Sequence, residues 1–107
     1  MLYELRVYHA MPGKLSTLDA RFADHAVRLF EKHGIEAVGY WTTYIGPANR
    51  LTYILAWDDL GERERCWDAF ASDPEWLEVT TESEKDGPLI ERSEVFILKS
   101  TEYSPLR

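Results

Sequence analysis

The chain has 107 residues, 45% of them hydrophobic, and a net charge of -7 from 19 acidic and 12 basic side chains. A domain of this size buries roughly two thirds of the surface its unfolded chain exposes, so its core needs no staple. Scattered Lys and Arg on an acidic chain exclude nucleic acid as the expected partner, a lone Cys66 excludes an internal disulfide, and no apolar run reaches the ~20 residues of a transmembrane helix.

Residues 2–9 alternate as a strand, with Tyr3, Leu5 and Val7 on one face and Glu4, Arg6 and Tyr8 on the other, until Met11-Pro12-Gly13 breaks it. A long helix over about Lys14–His33 follows. Its apolar stripe is Leu15, Leu18, Phe22, Ala26, Leu29 and Phe30, with Arg21 and Asp24 mostly elsewhere and Gly34 as the stop. Two strands, about Glu36–Ile45 and Leu51–Trp57, are joined by Gly46-Pro47-Ala48-Asn49 as a hairpin. Both are apolar or aromatic on both faces, so neither face is expected to be solvated. Asp59 with Glu62 reads as a capping box opening a helix through Phe70, and Asp73-Pro74 restarts a helix that dissolves into the polar stretch Thr81–Gly87. A last strand, Leu89–Lys99, closes a single domain over residues 1–100, and residues 101–107 form a tail.

This order predicts an α+β fold, the ferredoxin-like βαββαβ arrangement, with a four-stranded antiparallel sheet whose middle strands are the first and third. Glu4 and Arg6 then sit in a central strand and need partners, water or a ligand. Two helices cover one face of such a sheet. The other face is too apolar for water, so a second copy of the chain is expected to pack on it, giving a homodimeric α/β barrel.

The sequence resembles the NIPSNAP family of the dimeric α/β-barrel superfamily over nearly its whole length. The resemblance rests on Tyr3-Glu4-Leu5-Arg6-Val7-Tyr8 with Pro12-Gly13-Lys14, on Leu29-Phe30-Glu31-Lys32-His33-Gly34-Ile35, on Ile45-Gly46-Pro47-Ala48-Asn49-Arg50, and on Ser72-Asp73-Pro74-Glu75-Trp76. It implies the dimeric barrel fold and no settled reaction. Wider relatives include cofactor-free monooxygenases, haem-degrading enzymes and isomerases, in which the ligand lies between the sheet and the helices of one subunit. Tyr53 departs from the family, whose members often carry a histidine there.

The candidate catalytic residues are Glu4, Arg6 and His25. Glu4 and Arg6 lie about 7 Å apart on one strand face. Either Arg6 clamps a carboxylate or enolate with Glu4 as orienter or base, or the two belong to an ion-pair network, with Arg92 and Glu94 as candidate partners. His25 lies beside the helix stripe and is expected at the wall of any cavity, as a general base, a haem ligand or a cap on a backbone carbonyl. Tyr8, Tyr40, Tyr53, Trp57, Trp67 and Trp76 are the candidate substrate-binding residues, the alternative for each being core or interface packing. The run Glu62-Arg63-Glu64-Arg65 reads as a solvated helix face. His9 and His33 read as structural or surface residues, and the three histidines have no metal-site spacing.

The expectation is therefore a cytoplasmic homodimer that binds a small apolar or aromatic molecule without a bound cofactor, and an oxygenase or isomerase if it is an enzyme. Haem binding through His25 and a non-catalytic interaction module are the rivals. No membrane association is expected, the first residues entering a strand pattern directly.

Overall fold

The alternating first segment and the two-faced apolar third strand meet at the centre of one sheet. A computed structural model describes residues 1–107. In chain order it contains β1 (Leu2–Ala10), α1 (Leu15–Arg21), a π-helical turn (Phe22–Ala26), α2 (Val27–Lys32), β2 (Glu36–Thr42), β3 (Arg50–Trp57), α3 (Leu60–Ala71), α4 (Pro74–Ser83) and β4 (Ile90–Lys99). The strands are antiparallel in the order β2-β3-β1-β4, so β1 and β3 are central as the crossover rule requires. No helix is long and apolar enough to cross a membrane.

Register assigns the faces. Glu4 is opposite Leu55, Arg6 opposite Tyr53 and Tyr8 opposite Leu51, so the charged face of β1 looks toward the helices. There Tyr8, Leu51, Tyr53, Leu55 and Trp57 pack on Leu18, Phe22, Leu29, Phe30 and Phe70 in one core. The opposite face carries Tyr3, Leu5, Val7, Ile54, Trp41, Phe96 and Leu98. No helix lies over it, and Trp41 and Phe96 remain about half exposed, at 49% and 48%.

Three elements differ from expectation. The first helix is not a uniform α-helix: the Val27 N–H bonds to the Phe22 carbonyl, an i→i+5 closure that takes one extra residue into the turn. β2 ends at Thr42, three residues before Ile45, and Tyr44 and Ile45 stand in solvent beyond the pairing of Thr42 with Leu51. It also bulges between Ala37 and Gly39, so Ala37 and Tyr40, three apart, share the helix face, and Val38 leaves the ladder. α4 runs through Ser83 instead of dissolving at Thr81, whose hydroxyl bonds back to the Leu77 carbonyl.

Helix starts follow their signals. Asp59 accepts the Glu62 N–H at 2.8 Å, and the return bond from the Glu62 carboxylate goes to the Asp58 N–H, one residue earlier than a simple box would place it. Asp73 accepts the Glu75 N–H at 2.8 Å with Pro74 in the first turn. It also binds Lys32 at 2.8 Å and His33 at 2.7 Å, tying the end of α2 to the start of α4. These three bonds hold the Asp73 carboxyl well below its ordinary range.

Gly34 ends the first helical segment with φ +74, a left-handed conformation, and a Cβ there would meet only Cys66 Sγ at 3.9 Å. Steric crowding is therefore minor and the backbone conformation sets the cost of a side chain. Gly34→Ala is expected to lower stability by about 1 kcal/mol in urea denaturation, with an unchanged far-ultraviolet spectrum.

Candidate functional site

A carboxylate in the middle of a sheet must find donors within the fold. Glu4 is 0% exposed, and its four hydrogen bonds come from three elements. Oε1 accepts from Trp57 Nε1 at 3.0 Å and from Arg63 Nε at 2.6 Å, and Oε2 accepts from Arg6 Nη1 at 2.6 Å and Arg63 Nη2 at 3.2 Å. Trp57 reaches it as a diagonal neighbour across the β1–β3 ladder. Arg63 reaches it from the first turn of α3 as a two-pronged guanidinium pair. Burial pushes the Glu4 carboxyl up, but the bonds from Arg63, Arg6 and Trp57 outweigh it and hold the group below its ordinary 4.5.

Arg63 corrects the sequence reading, which gave it to a solvated helix face. Arg92 and Glu94, the partners considered from sequence, pair with each other at 3.5 Å on the open face of the sheet. The ion-pair network at Glu4 is thus closed from the helix layer.

Arg6 extends the network. Its Nε donates to the Tyr8 hydroxyl at 3.1 Å, and its guanidinium lies over the Trp67 ring, 4.5 Å from the centroid. Burial opposes the Arg6 cation, yet the oxygens of Tyr53 and Tyr8 and the bond to Glu4 raise its pKa further above the ordinary arginine range. The Tyr8 and Tyr53 hydroxyls are 2.7 Å apart. Burial, reinforced by Tyr8, raises the Tyr53 phenol well above 10, so it stays protonated and keeps a proton to donate. Burial also pushes Tyr40 up to about 12.

Proton accounting gives this pair a direction. Tyr8 oxygen already accepts from Arg6, and Tyr53 has no side-chain partner besides Tyr8. If Tyr8 donated to Tyr53, the fully buried Tyr53 hydroxyl would keep an unspent proton. With Tyr53 donating instead, the unspent proton belongs to Tyr8, which lines a cavity. Accepting two hydrogen bonds also polarises the Tyr8 O–H and strengthens it as a donor.

That cavity, about 220 Å³, lies between the sheet and the helices, and nine of its eleven lining residues are hydrophobic. Tyr8, Trp67 and Trp76 from the sequence-predicted set line it, with Phe22, Phe30 and Phe70 completing the walls. The aromatic rings form a continuous wall, Trp76 to Phe70 at 4.7 Å and Phe70 to Phe30 at 4.8 Å between centroids. Tyr53 and Trp57 stand behind this wall, buried at 0% and 1%, as support for Tyr8 and Glu4 rather than lining. Tyr40 packs on Tyr53 and Phe22 at its margin. Arg6 acts on the cavity through Tyr8.

His25 is not on this wall. It lines an outer groove of about 460 Å³ with Asp24, Glu75, Glu78 and Glu82, between the π-helical turn and α4, and Arg21 borders both this groove and the cavity. Arg21, Phe22 and Ala26 are buried, and the extra residue of the π-helical turn leaves His25 half-buried toward α4. The axial position that a haem in the apolar cavity would need is therefore not supplied by His25. His9 is on the open sheet face near Glu94, and His33 is bound to Asp73. No group of three or more His, Cys, Asp or Glu side chains is arranged to hold a metal ion.

Sequence reasoning missed Arg63, and it missed Arg21 and Thr80, the two polar residues that line the apolar cavity beside the hydrophobic ones. The one signal for Arg63 was the need of a central-strand Glu4 for a cation; Arg21 and Thr80 gave none.

The family model for NIPSNAP matches residues 3–105. A crystal structure of a NIPSNAP family protein with unknown function from Agrobacterium tumefaciens is 32% identical, with a TM-score of 0.87, covering 100% of this chain and 94% of that one. An uncharacterized NIPSNAP domain protein from Burkholderia xenovorans is 26% identical at a TM-score of 0.84, covering 98% of this chain and 99% of that one. SnoaB, a cofactor-independent oxygenase from Streptomyces nogalater, shares the fold at a TM-score of 0.64 and 16% identity, covering 97% and 96%. No curated protein matches the chain.

Removing the Glu4 carboxylate leaves two guanidinium groups and an indole N–H without their common acceptor. Glu4→Ala is expected to cost about 3 kcal/mol at neutral pH, and Glu4→Gln less. Because folding lowers the Glu4 pKa, its contribution is complete above the ordinary 4.5 and is lost as pH falls through the lower folded value. The stability gap between wild type and Glu4→Gln should therefore be widest near pH 7 and shrink below about pH 4 in urea titrations at several pH values.

Proposed function

The chain belongs to the NIPSNAP family, and from that premise we propose that it is a homodimeric small-molecule-binding protein whose helix-covered cavity takes an apolar or aromatic ligand bearing an oxygen acceptor. The observation that carries this is the Tyr8 hydroxyl. Tyr8 lines an apolar cavity, Arg6 donates to its oxygen, and with Tyr53 donating as well its own proton is unspent. A carbonyl, phenolate or enolate oxygen is the group that such a donor recognises. If the protein is an enzyme, the reaction that fits is one in which that oxygen gains negative charge, as in isomerisation through an enolate or oxygenation of an electron-rich ring. No bound cofactor enters this reading.

Tyr8→Phe keeps the ring and removes the proton. Affinity for a flat phenolic ligand such as naphthol, followed by quenching of Trp67 and Trp76 fluorescence, is expected to fall about tenfold, the worth of one well-placed hydrogen bond. Unchanged affinity in Tyr8→Phe would overturn the role given to this hydroxyl.

The dimer is supported by the sheet face away from the helices. Trp41, Phe96 and Leu98 are each 43% to 49% exposed on one side of the sheet, around Leu5, Val7 and Ile54. A specific interface needs about 1,200 Å² or more of buried surface, and a whole sheet face supplies an area of that order. Wild type is expected to sediment as a dimer at micromolar concentration and Phe96→Glu as a monomer. A monomeric wild type sinks the assembly.

A further inference from the structure

The Tyr8 end of the cavity accounts for one polar contact. The helix side of the same cavity holds two more polar groups, and neither takes part in the network around Glu4. Arg21, at the end of α1, is 7% exposed and lines the cavity. Its Nη1 donates to Ser83 Oγ at 3.2 Å and to Glu84 Oε2 at 3.1 Å, and its guanidinium lies 5.3 Å from the centroid of the Trp76 ring. Its Nε is buried and has no acceptor in the chain. Thr80 of α4 also lines the cavity, and its Oγ1 is likewise buried with no partner in the chain.

A buried donor without an acceptor costs about 1–3 kcal/mol, and a fold that leaves two of them on residues lining one small cavity needs a reason. The bonds of Arg21 Nη1 to Ser83 and Glu84 explain how the side chain is tethered, and leave Nε out. The rest of the wall is hydrophobic, so nothing else on it meets the polar end of a ligand. We infer that Arg21 Nε and Thr80 Oγ1 form a second subsite that takes a second oxygen acceptor of the ligand, a carboxylate or a carbonyl, while Tyr8 holds the first from the sheet. This rests on the cavity being a ligand site as proposed above, and narrows the ligand to a flat apolar body with oxygen functions at both ends. Arg21 is tethered to Ser83, three residues after Thr80 on α4, so an N–H and an O–H donor on one side of the cavity suit a carboxylate or a carbonyl oxygen, and the partner Glu84 tempers the charge of Arg21 without occupying Nε.

Three probes of one shape test it: naphthol, an acetylnaphthol and a hydroxynaphthoate with the two oxygen groups on opposite rings. Binding is read by tryptophan quenching to wild type, Thr80→Val and Arg21→Lys. The second oxygen should tighten binding to wild type about tenfold over plain naphthol, and in Thr80→Val the ratio of the two affinities should fall toward one. Arg21→Lys, which keeps the charge and removes the Nε donor, should lower that ratio too. A larger gain for hydroxynaphthoate than for acetylnaphthol identifies the group as a carboxylate, and the reverse order identifies a carbonyl. Naphthol binding with no gain from a second oxygen, or a gain that both variants retain, overturns the subsite and leaves the Tyr8 site standing. Failure of all three probes to bind wild type overturns the ligand cavity and the subsite with it.

Discussion

The buried Glu4 carboxylate is the constraint on which the rest of the molecule is arranged. Its four hydrogen bonds come from Arg6 on β1, Trp57 on β3 and Arg63 on α3, so one group is satisfied only when strand pairing and helix docking are both correct. A one-residue slip of β1 would turn Glu4 to the open face and leave Arg63 facing the core alone. The same carboxylate fixes Arg6, Arg6 fixes the Tyr8 hydroxyl, and Tyr53 completes that alignment from behind. The polar groups at the cavity floor are thus held by bonds made elsewhere, which is the condition for a site of defined geometry.

Much of this frame was legible in the residues. Alternation in β1, the hairpin between β2 and β3, and the caps at Asp59 and Asp73 all lie where the pattern put them. The demand of Glu4 for a partner was also legible, because charge in a central strand is costly wherever the strand is placed. The identity of that partner was not. Arg63 sits in an alternating acidic and basic run whose members look alike, and only the docking angle of α3 selects one of them. The outward position of His25 has a similar origin: a periodicity of about 100° per residue assumes an unbroken α-helix, and one π-helical turn shifts which residues face inward. In β2 a single bulge at Val38 brings Ala37 and Tyr40 to one face against strict alternation.

Fold alone says little about chemistry here. A cofactor-independent oxygenase that is 16% identical has the same fold, and the family relatives are described without a function. What distinguishes this chain lies in the side chains around the cavity. Tyr53 stands at a position where the resemblance implied an imidazole, and burial keeps its phenol protonated far beyond neutral pH. It therefore keeps its proton in the hydroxyl pair with Tyr8, where a histidine would change its protonation in the physiological range.

The placement of acids and bases restricts what such a cavity could do. Glu4 has both oxygens engaged by two donors each, so it has no free lone pair with which to take a proton from a ligand. His25 opens to the outer groove, and the polar side chains that touch the apolar cavity, Tyr8, Arg21 and Thr80, include no carboxylate or imidazole to act as a base. A site built from donors stabilises negative charge on oxygen but does not create it by general-base catalysis. A ligand that would match such a site is one acidic enough to ionise in water, such as an electron-poor phenol or a β-diketone, whose anion the Tyr8 hydroxyl would hold and make more abundant. That logic ties the electrostatics of Glu4 and Arg6 to a ligand class rather than to a named reaction. Burial behind the aromatic wall also keeps the Glu4 carboxylate away from the cavity, where it would repel an oxyanion held by Tyr8.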